Sequence, residues 1–367
     1  MAQIMVEGAA LNVRVEGPDD GEAVILAHHL GGSLEVFDAV APALAERFRL
    51  VRYDCRGHGA SAASPAPYSI FGLARDAIAL LDALGIERAH WIGLSMGGMT
   101  GLAAMLAAPS RIGRAALANT AAKVGSPDLW NGRIRAARRD GPASLSEATQ
   151  ARWFTPEFLA AEPAAVEKVM ANFRATSAEG YAGGCAALRD ADLREAIGGV
   201  SHKVLVVAGA RDPSSPPELA AFVAGAIEGA GLATLDTSHM SAVEDAEGFA
   251  AAVLAFLAEP QAKTRMAAPP RKVAARRPSG RPKLAVRTPA APPAAARAAP
   301  AKGSAEGAAK APKTPAPAKT SKAPQKPAAR KPDGTAGAKP RGAGPKDGPK
   351  GGPKGGGGRP RPPQSER

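Results

Sequence analysis

Ser95 lies in Gly93-Leu94-Ser95-Met96-Gly97-Gly98, between an apolar run at 89–92 and a helix-favouring run at 99–107. Gly-x-Ser-x-Gly between a strand and a helix describes a nucleophile elbow, a sharp turn that lifts a serine oxygen clear of a sheet. Its two glycines stand where side chains would collide with neighbouring backbone. In a chain with 41 glycines the pattern alone is weak, so its setting must decide. A nucleophilic serine needs a base, and the base needs an acid to orient it. Among the six histidines, His239 follows an apolar run at 232–235 by the short loop Asp236-Thr237-Ser238. Asp212 follows the run 203–208 in Gly209-Ala210-Arg211-Asp212-Pro213. Serine, aspartate and histidine thus occur in the chain order expected with such an elbow, each just after a strand. Asp236 and Asp245 are the rival acids, but they lie too near His239 in sequence to come easily from a neighbouring strand.

Acyl transfer at Ser95 would also need two N–H donors aimed at the developing oxyanion. The backbone of Met96, opening the helix after the nucleophile, is one candidate. The other is the backbone of Leu30, in the loop His28-His29-Leu30-Gly31-Gly32 that follows the apolar run 23–27. His28 and His29 could instead ligate a metal, but no acidic or cysteine partner at suitable spacing accompanies them, and no metal is expected.

The elements that must position these residues alternate along the chain. Segments 3–6 and 11–15 read as a hairpin, and 23–27 as a strand covered on both faces. A helix is expected over 36–48, followed by a strand at 50–53. Ile70, Leu73, Ala74, Ala77, Ile78, Leu81 and Leu84 recur at helical spacing, and Gly85 ends that helix. Strand 114–119 follows the elbow helix. Residues 121–199 then show helical periodicity and no good strand, as expected of a cap inserted over the sheet's carboxyl edge. Strands return at 203–208 and 232–235, and a helix over 246–258 closes the domain. Such alternation implies an α/β class with a mainly parallel sheet and helices on both faces.

Composition changes at Pro260. Residues 260–367 hold 26 of the 47 Lys and Arg but only 4 of the 34 Asp and Glu, so the net charge of +13 belongs to this segment and the rest of the chain is acidic. Rich in Lys, Pro, Ala and Gly and lacking aromatics, it is expected to be a disordered basic tail beyond a domain at 1–259. Such a tail can neutralise phosphates without reading sequence, so non-specific polyanion or nucleic-acid contact is expected of it. Cys55 and Cys185 give neither a disulfide framework nor a metal spacing. No stretch approaches the ~18 apolar residues of a membrane span, and no secretory signal is evident. A soluble cytoplasmic protein that uses no membrane is expected.

Residues 20–258 resemble the 3-oxoadipate enol-lactonases, an α/β-hydrolase family of the β-ketoadipate route of aromatic degradation. The resemblance is carried by Leu44-Ala45-Glu46-Arg47-Phe48-Arg49, by Arg52-Tyr53-Asp54-Cys55-Arg56-Gly57-His58-Gly59 and by the elbow. More specific to it are Ala118-Asn119-Thr120-Ala121-Ala122, Leu129-Trp130-Asn131-Gly132-Arg133-Ile134, Arg152-Trp153-Phe154-Thr155-Pro156 and Cys185-Ala186-Ala187-Leu188-Arg189-Asp190-Ala191-Asp192. It implies an α/β-hydrolase fold with a mostly parallel eight-stranded sheet and a helical cap at about 121–199. It also implies a small lactone as substrate and catalysis without a cofactor. That substrate carries a carboxylate, for which Arg133 is the expected clamp, with Trp130 and Trp153 as apolar walls. Two departures stand out. His29 occupies a position where the family usually has a small residue. The segment after 260 lacks the apolar content of the decarboxylase domain fused to some relatives, so no decarboxylase step is expected.

Overall fold

The computed structural model describes residues 1–258; the basic segment 260–367 lies outside the described residues. Eight strands form one sheet: β1 (Ala2–Val6), β2 (Ala9–Glu16), β3 (Glu22–Ala27), β4 (Phe48–Tyr53), β5 (Ala89–Leu94), β6 (Ile112–Ala118), β7 (Val204–Gly209) and β8 (Gly231–Leu235). Their spatial order is β1-β2-β4-β3-β5-β6-β7-β8. The β1–β2 and β2–β4 pairs are antiparallel, and every later pair is parallel. All residues of β5 and β6 are buried, which requires cover on both faces and explains why they are mostly apolar, with only His90 and Arg114 polar.

The cover is helical. Helix α1 (Ala41–Ala45) packs with α11 (Ala246–Ala258), while α2 (Ile70–Ala83) packs with α3 (Met96–Ala107). The α2 stripe Ile70, Leu73, Ala74, Ala77, Leu80 and Leu81 is buried; Ser69 caps its first turn and Gly85, at φ +67°, follows its last. The single helix expected over 36–48 is corrected. A 3₁₀ turn at Leu34–Phe37 and the short α1 replace it, and β4 already begins at Phe48. Pro42 is the reason: it lacks an N–H donor, and its ring would clash with the carbonyl of residue 38 in a continuous helix.

Between β6 and β7 the chain forms α4 (Pro127–Asp140), α5 (Ser146–Trp153), α6 (Pro156–Ala161), α7 (Pro163–Ala175) and α8 (Ala178–Asp190), with no strand among them. This is the cap. It is tied to the segment after β3 by polar contacts: Lys168 Nζ reaches Asp38 at 2.6 Å, and Asn172 Nδ2 donates to Glu35 at 3.0 Å. Asp38 also pairs with buried Arg52, which lies against Glu16 in a two-contact fork. Two further helices, α9 (Pro217–Ala226) and α10 (Ser241–Glu244), flank β8. Among the described residues no helix is long and apolar enough to cross a membrane.

Candidate active site

Backbone sterics fix the elbow. Ser95 joins β5 to α3 at φ 56° and ψ −112°, a region sparsely populated by residues with a side chain. A Cβ on Gly93 would lie 2.3 Å from Gly97 O, and one on Gly97 would lie 2.0 Å from Ala27 O at the end of β3. Both glycines therefore let backbone pass backbone where no methyl fits. Neighbours hold the strained turn: Ser95 N–H donates to Ala118 O at 2.8 Å, and Thr120 Oγ1 donates to Ser95 O at 2.7 Å.

Two other strand ends bring their residues to Ser95. His239 Nε2 lies 2.9 Å from Ser95 Oγ, and His239 Nδ1 lies 2.7 Å from Asp212 Oδ2. Since the Asp212 carboxylate only accepts, Nδ1 carries the hydrogen and Nε2 is left to accept from the serine hydroxyl. Asp212 is buried and saturated with donors: Ser214 N–H and Ser215 N–H reach Oδ1, while Ser215 Oγ and Asn119 Nδ2 reach Oδ2. Burial pushes its carboxyl pKa up, but His239 and the Ser215 donors more than offset this and hold it below the usual range. The rival acids are elsewhere. Asp236 pairs with Arg211 at the surface, and Asp245 accepts Gly248 N–H in the first turn of α11.

The loop carrying His239 is docked on the cap. His239 N–H and Met240 N–H both donate to Trp153 O at 3.1 Å, and Ser238 Oγ donates to Arg152 O at 3.0 Å. Glu244 bridges the two, accepting from Thr155 N–H with one oxygen and Ser238 N–H with the other.

Leu30 and Met96 sit side by side beneath α8, where a Cβ on Gly184 would lie 2.5 Å from Leu30 Cδ1 and 3.4 Å from Met96 Sδ. As the first residue of α3, Met96 has an N–H outside the helix's own hydrogen-bond ladder. The Leu30 loop is braced by His28, whose Nε2 accepts Cys55 N–H at 2.8 Å and whose Nδ1 donates to His29 O at 2.7 Å. Burial pushes the pKa of His28 down, and that of His58 beside it down to about 3, so both are neutral. No group of three or more His, Cys, Asp or Glu among the described residues is placed to hold a metal ion.

Ser95 and His239 open into a cavity of about 290 Å³ between sheet edge and cap. Trp130, Arg133 and Trp153 all line it, as do Leu30 and Asn119. Arg133 lies 5.7 Å over the Trp130 ring, and its Nη2 donates to Thr149 Oγ1 at 3.4 Å. Arg152, not singled out from the sequence, also lines the cavity and donates its Nε to Ala148 O. Among the described residues no carboxylate pairs with Arg133 or Arg152. Asn119 and Ser215, the donors to Asp212, were likewise missed. Asn119 stands at φ 47° directly after β6, a position whose signal is the strand end itself.

An eight-stranded, mostly parallel sheet with a strained serine turn at its centre and a helical cap over its carboxyl edge defines the α/β-hydrolase class. The chain belongs to that family: residues 22–246 match the family described as the alpha/beta hydrolase fold, and the protein is a hydrolase. It is similar to 3-oxoadipate enol-lactonase 2 of Acinetobacter baylyi, with 37% identity over 69% of this chain and 95% of the relative. To 3-oxoadipate enol-lactonase 1 of the same organism it is 34% identical over 66% of this chain and 91% of the relative. Among solved structures, the enol-lactonase from Burkholderia xenovorans LB400 superposes with a TM-score of 0.70 at 39% identity, covering 70% of this chain and 100% of that one.

Gly97→Ala should destabilise the fold by about 3 kcal/mol or more, because backbone at β3 cannot yield to the new methyl. Gly132→Ala, whose methyl would meet nothing within 4 Å inside α4, should be neutral or stabilise by up to ~1 kcal/mol. Urea unfolding midpoints of the two variants check the contrast.

Proposed function

We propose that the chain hydrolyses 3-oxoadipate enol-lactone to 3-oxoadipate, with Ser95 as nucleophile, His239 as base and Asp212 as its orienting acid. The observation that supports this best is the run of short contacts from Asp212 through His239 to Ser95, ending in a cavity that holds two arginines without acidic partners. The similarity to enol-lactonases over nearly their whole length supports this choice of substrate.

In this reading His239 Nε2 takes the Ser95 proton as Oγ attacks the lactone carbonyl, and Asp212 stabilises the imidazolium. The backbone N–H groups of Met96 and Leu30 hold the tetrahedral oxyanion. Collapse breaks the ring C–O bond, and His239 returns its proton to the departing enol oxygen. That enol stays tethered to the acyl group and tautomerises to a ketone, which removes the nucleophile for ring closure. A water deprotonated by His239 then attacks the acyl-enzyme and releases the diacid. No electron changes hands, so no redox cofactor is called for. Arg133 holds the substrate carboxylate, Arg152 adds a second positive charge, and Trp130 and Trp153 wall the carbon skeleton. The two cysteines, both buried thiols, suit the reducing cytoplasm.

The enol-lactone should be hydrolysed with a kcat/KM at least about a hundredfold above that for simple aryl esters, and Ser95→Ala should lower it by ~10⁴-fold or more. A preference for aryl esters would instead make the protein a general esterase of the same fold. Arg133→Ala should lower kcat/KM for the lactone by about 10–100-fold and leave a neutral aryl ester within about twofold, as expected for loss of a charge-assisted hydrogen bond. Equal effects on both substrates would remove Arg133 from carboxylate recognition.

We also propose that the hydrolase domain ends at about residue 259 and that residues 260–367 contact polyanions non-specifically through their Lys and Arg. Full-length protein should bind duplex DNA with an affinity that falls steeply with salt, and a 1–259 fragment should not. Binding by the fragment, or binding that survives high salt, would contradict this assignment.

A further inference from the structure

Asn119 follows β6 at φ 47°, a left-handed conformation that residues with a side chain seldom adopt, although asparagine tolerates it better than most. Such strain persists where the surroundings over-determine it. Here they do so from two directions. The Asn119 backbone N–H donates to Val207 O of β7 at 2.8 Å, and the side chain, in a residue 1% exposed, reaches the loops that carry Asp212 and His239. Its Nδ2 donates to Asp212 Oδ2 at 3.2 Å and to Ser238 O, the carbonyl just before His239, at 3.0 Å. Among the described residues Oδ1 has no partner, so the two donor contacts alone orient the amide.

Both partners of Nδ2 are acceptors, and both residues are buried. The backbone is crowded there as well: a Cβ on Gly209 would fall 2.2 Å from Ser238 O and 2.9 Å from Asn119 Nδ2. Backbone bonds join the two loops up to this point, from Ala210 N–H to Leu235 O and from Arg211 N–H to Thr237 O. One residue further, where Asp212 and Ser238 stand, the link is the Asn119 amide. Without it two buried acceptors would face each other with no hydrogen between them. A carboxylate that turns away leaves His239 Nδ1–H unpaired and admits the other tautomer, which cannot accept the Ser95 proton at Nε2. Ser215 also donates to Asp212, but it belongs to the Asp212 loop and cannot set that loop's place relative to Ser238. The amide is neutral, so it adds no positive charge that would compete with an imidazolium for Asp212.

We propose that Asn119 is a positioning residue for the base: its amide, fixed at the end of β6, holds the Asp212 carboxylate and the His239 loop in the arrangement that lets His239 accept the Ser95 proton. This role rests on the Ser95, His239 and Asp212 assignment above and not on the identity of the lactone.

Asn119→Gly suits the positive φ and removes the amide. With full-length protein, kcat and KM are measured for the enol-lactone and for 4-nitrophenyl butyrate, each per active site titrated with a fluorophosphonate. On both substrates kcat should fall about 10–100-fold while KM stays within about threefold. The thermal midpoint should stay within about 5 °C of wild type, since the backbone bonds between the loops remain. In Asp212→Ala the same substitution should cost less than about threefold further, because no carboxylate is left to aim. An equal loss in that background, a loss confined to KM or to the fraction of titratable sites, or a fall in kcat below about threefold would overturn the role. Should the glycine variant not fold, Asn119→Asp, which keeps the shape and carries at most one of the two hydrogens, gives the same reading. An Asp212→Ala variant as active as wild type would remove the triad and this role with it. Hydrolysis of the butyrate ester but not of the lactone would remove the lactone reading alone, and the ester would then decide the role of Asn119 by itself.

Discussion

At the centre of the molecule the backbone of α3 passes the end of β3 with no side chain between them. The carbonyl oxygen of Ala27 occupies the space in which a Gly97 methyl would stand, and Gly93 is pressed against Gly97 in the same way. This close approach makes the site possible. It brings the loop after β3, with His29 and Leu30, beside the turn that holds Ser95 at positive φ. The strain of that turn is carried by its neighbours: Ala118 accepts Ser95 N–H, and Thr120 donates to Ser95 O.

The remaining polar residues arrive from strand ends that the parallel sheet brings to one edge. Asp212 after β7 and His239 after β8 come from adjacent strands, and Asn119 after β6 links their loops by donating to both Asp212 Oδ2 and Ser238 O. The cap does more than cover the cavity. Trp153 O anchors the His239 backbone, Glu244 ties the same loop to Thr155, and Lys168 and Asn172 fasten the other side of the cap to the loop after β3. The cavity walls and the loop that carries His239 are thus parts of one hydrogen-bonded unit. A substitution in the cap is expected to reach His239 as well as the cavity.

Much of this was legible in the sequence wherever burial imposes a pattern. The run 23–27 is apolar without alternation because β3 is covered on both faces, and the α2 stripe shows because one face of that helix meets the core. Ser95, Asp212 and His239 could be picked out because each follows such a run. Pro42 was the local signal against a helix over 36–48, and the apolar residues around it hid that signal. Asn119, Ser215 and Arg152 were not found because their roles depend on which strand lies next to which. That order, with β4 placed between β2 and β3, leaves no trace in spacing along the chain. His29 was visible as a departure from its resembling family; its lack of hydrogen-bond partners and its packing against Gly32 were not.

The proposed hydrolysis requires Ser95 to be a nucleophile activated by His239. The most direct measurement is reaction of the full-length protein with a fluorophosphonate ester, with the modified residue located by peptide mass spectrometry. One equivalent of label is expected on Ser95, its attachment slowed when 3-oxoadipate enol-lactone is present and nearly abolished in His239→Ala. Label on another residue, or none on Ser95 in the folded wild-type protein, would contradict it.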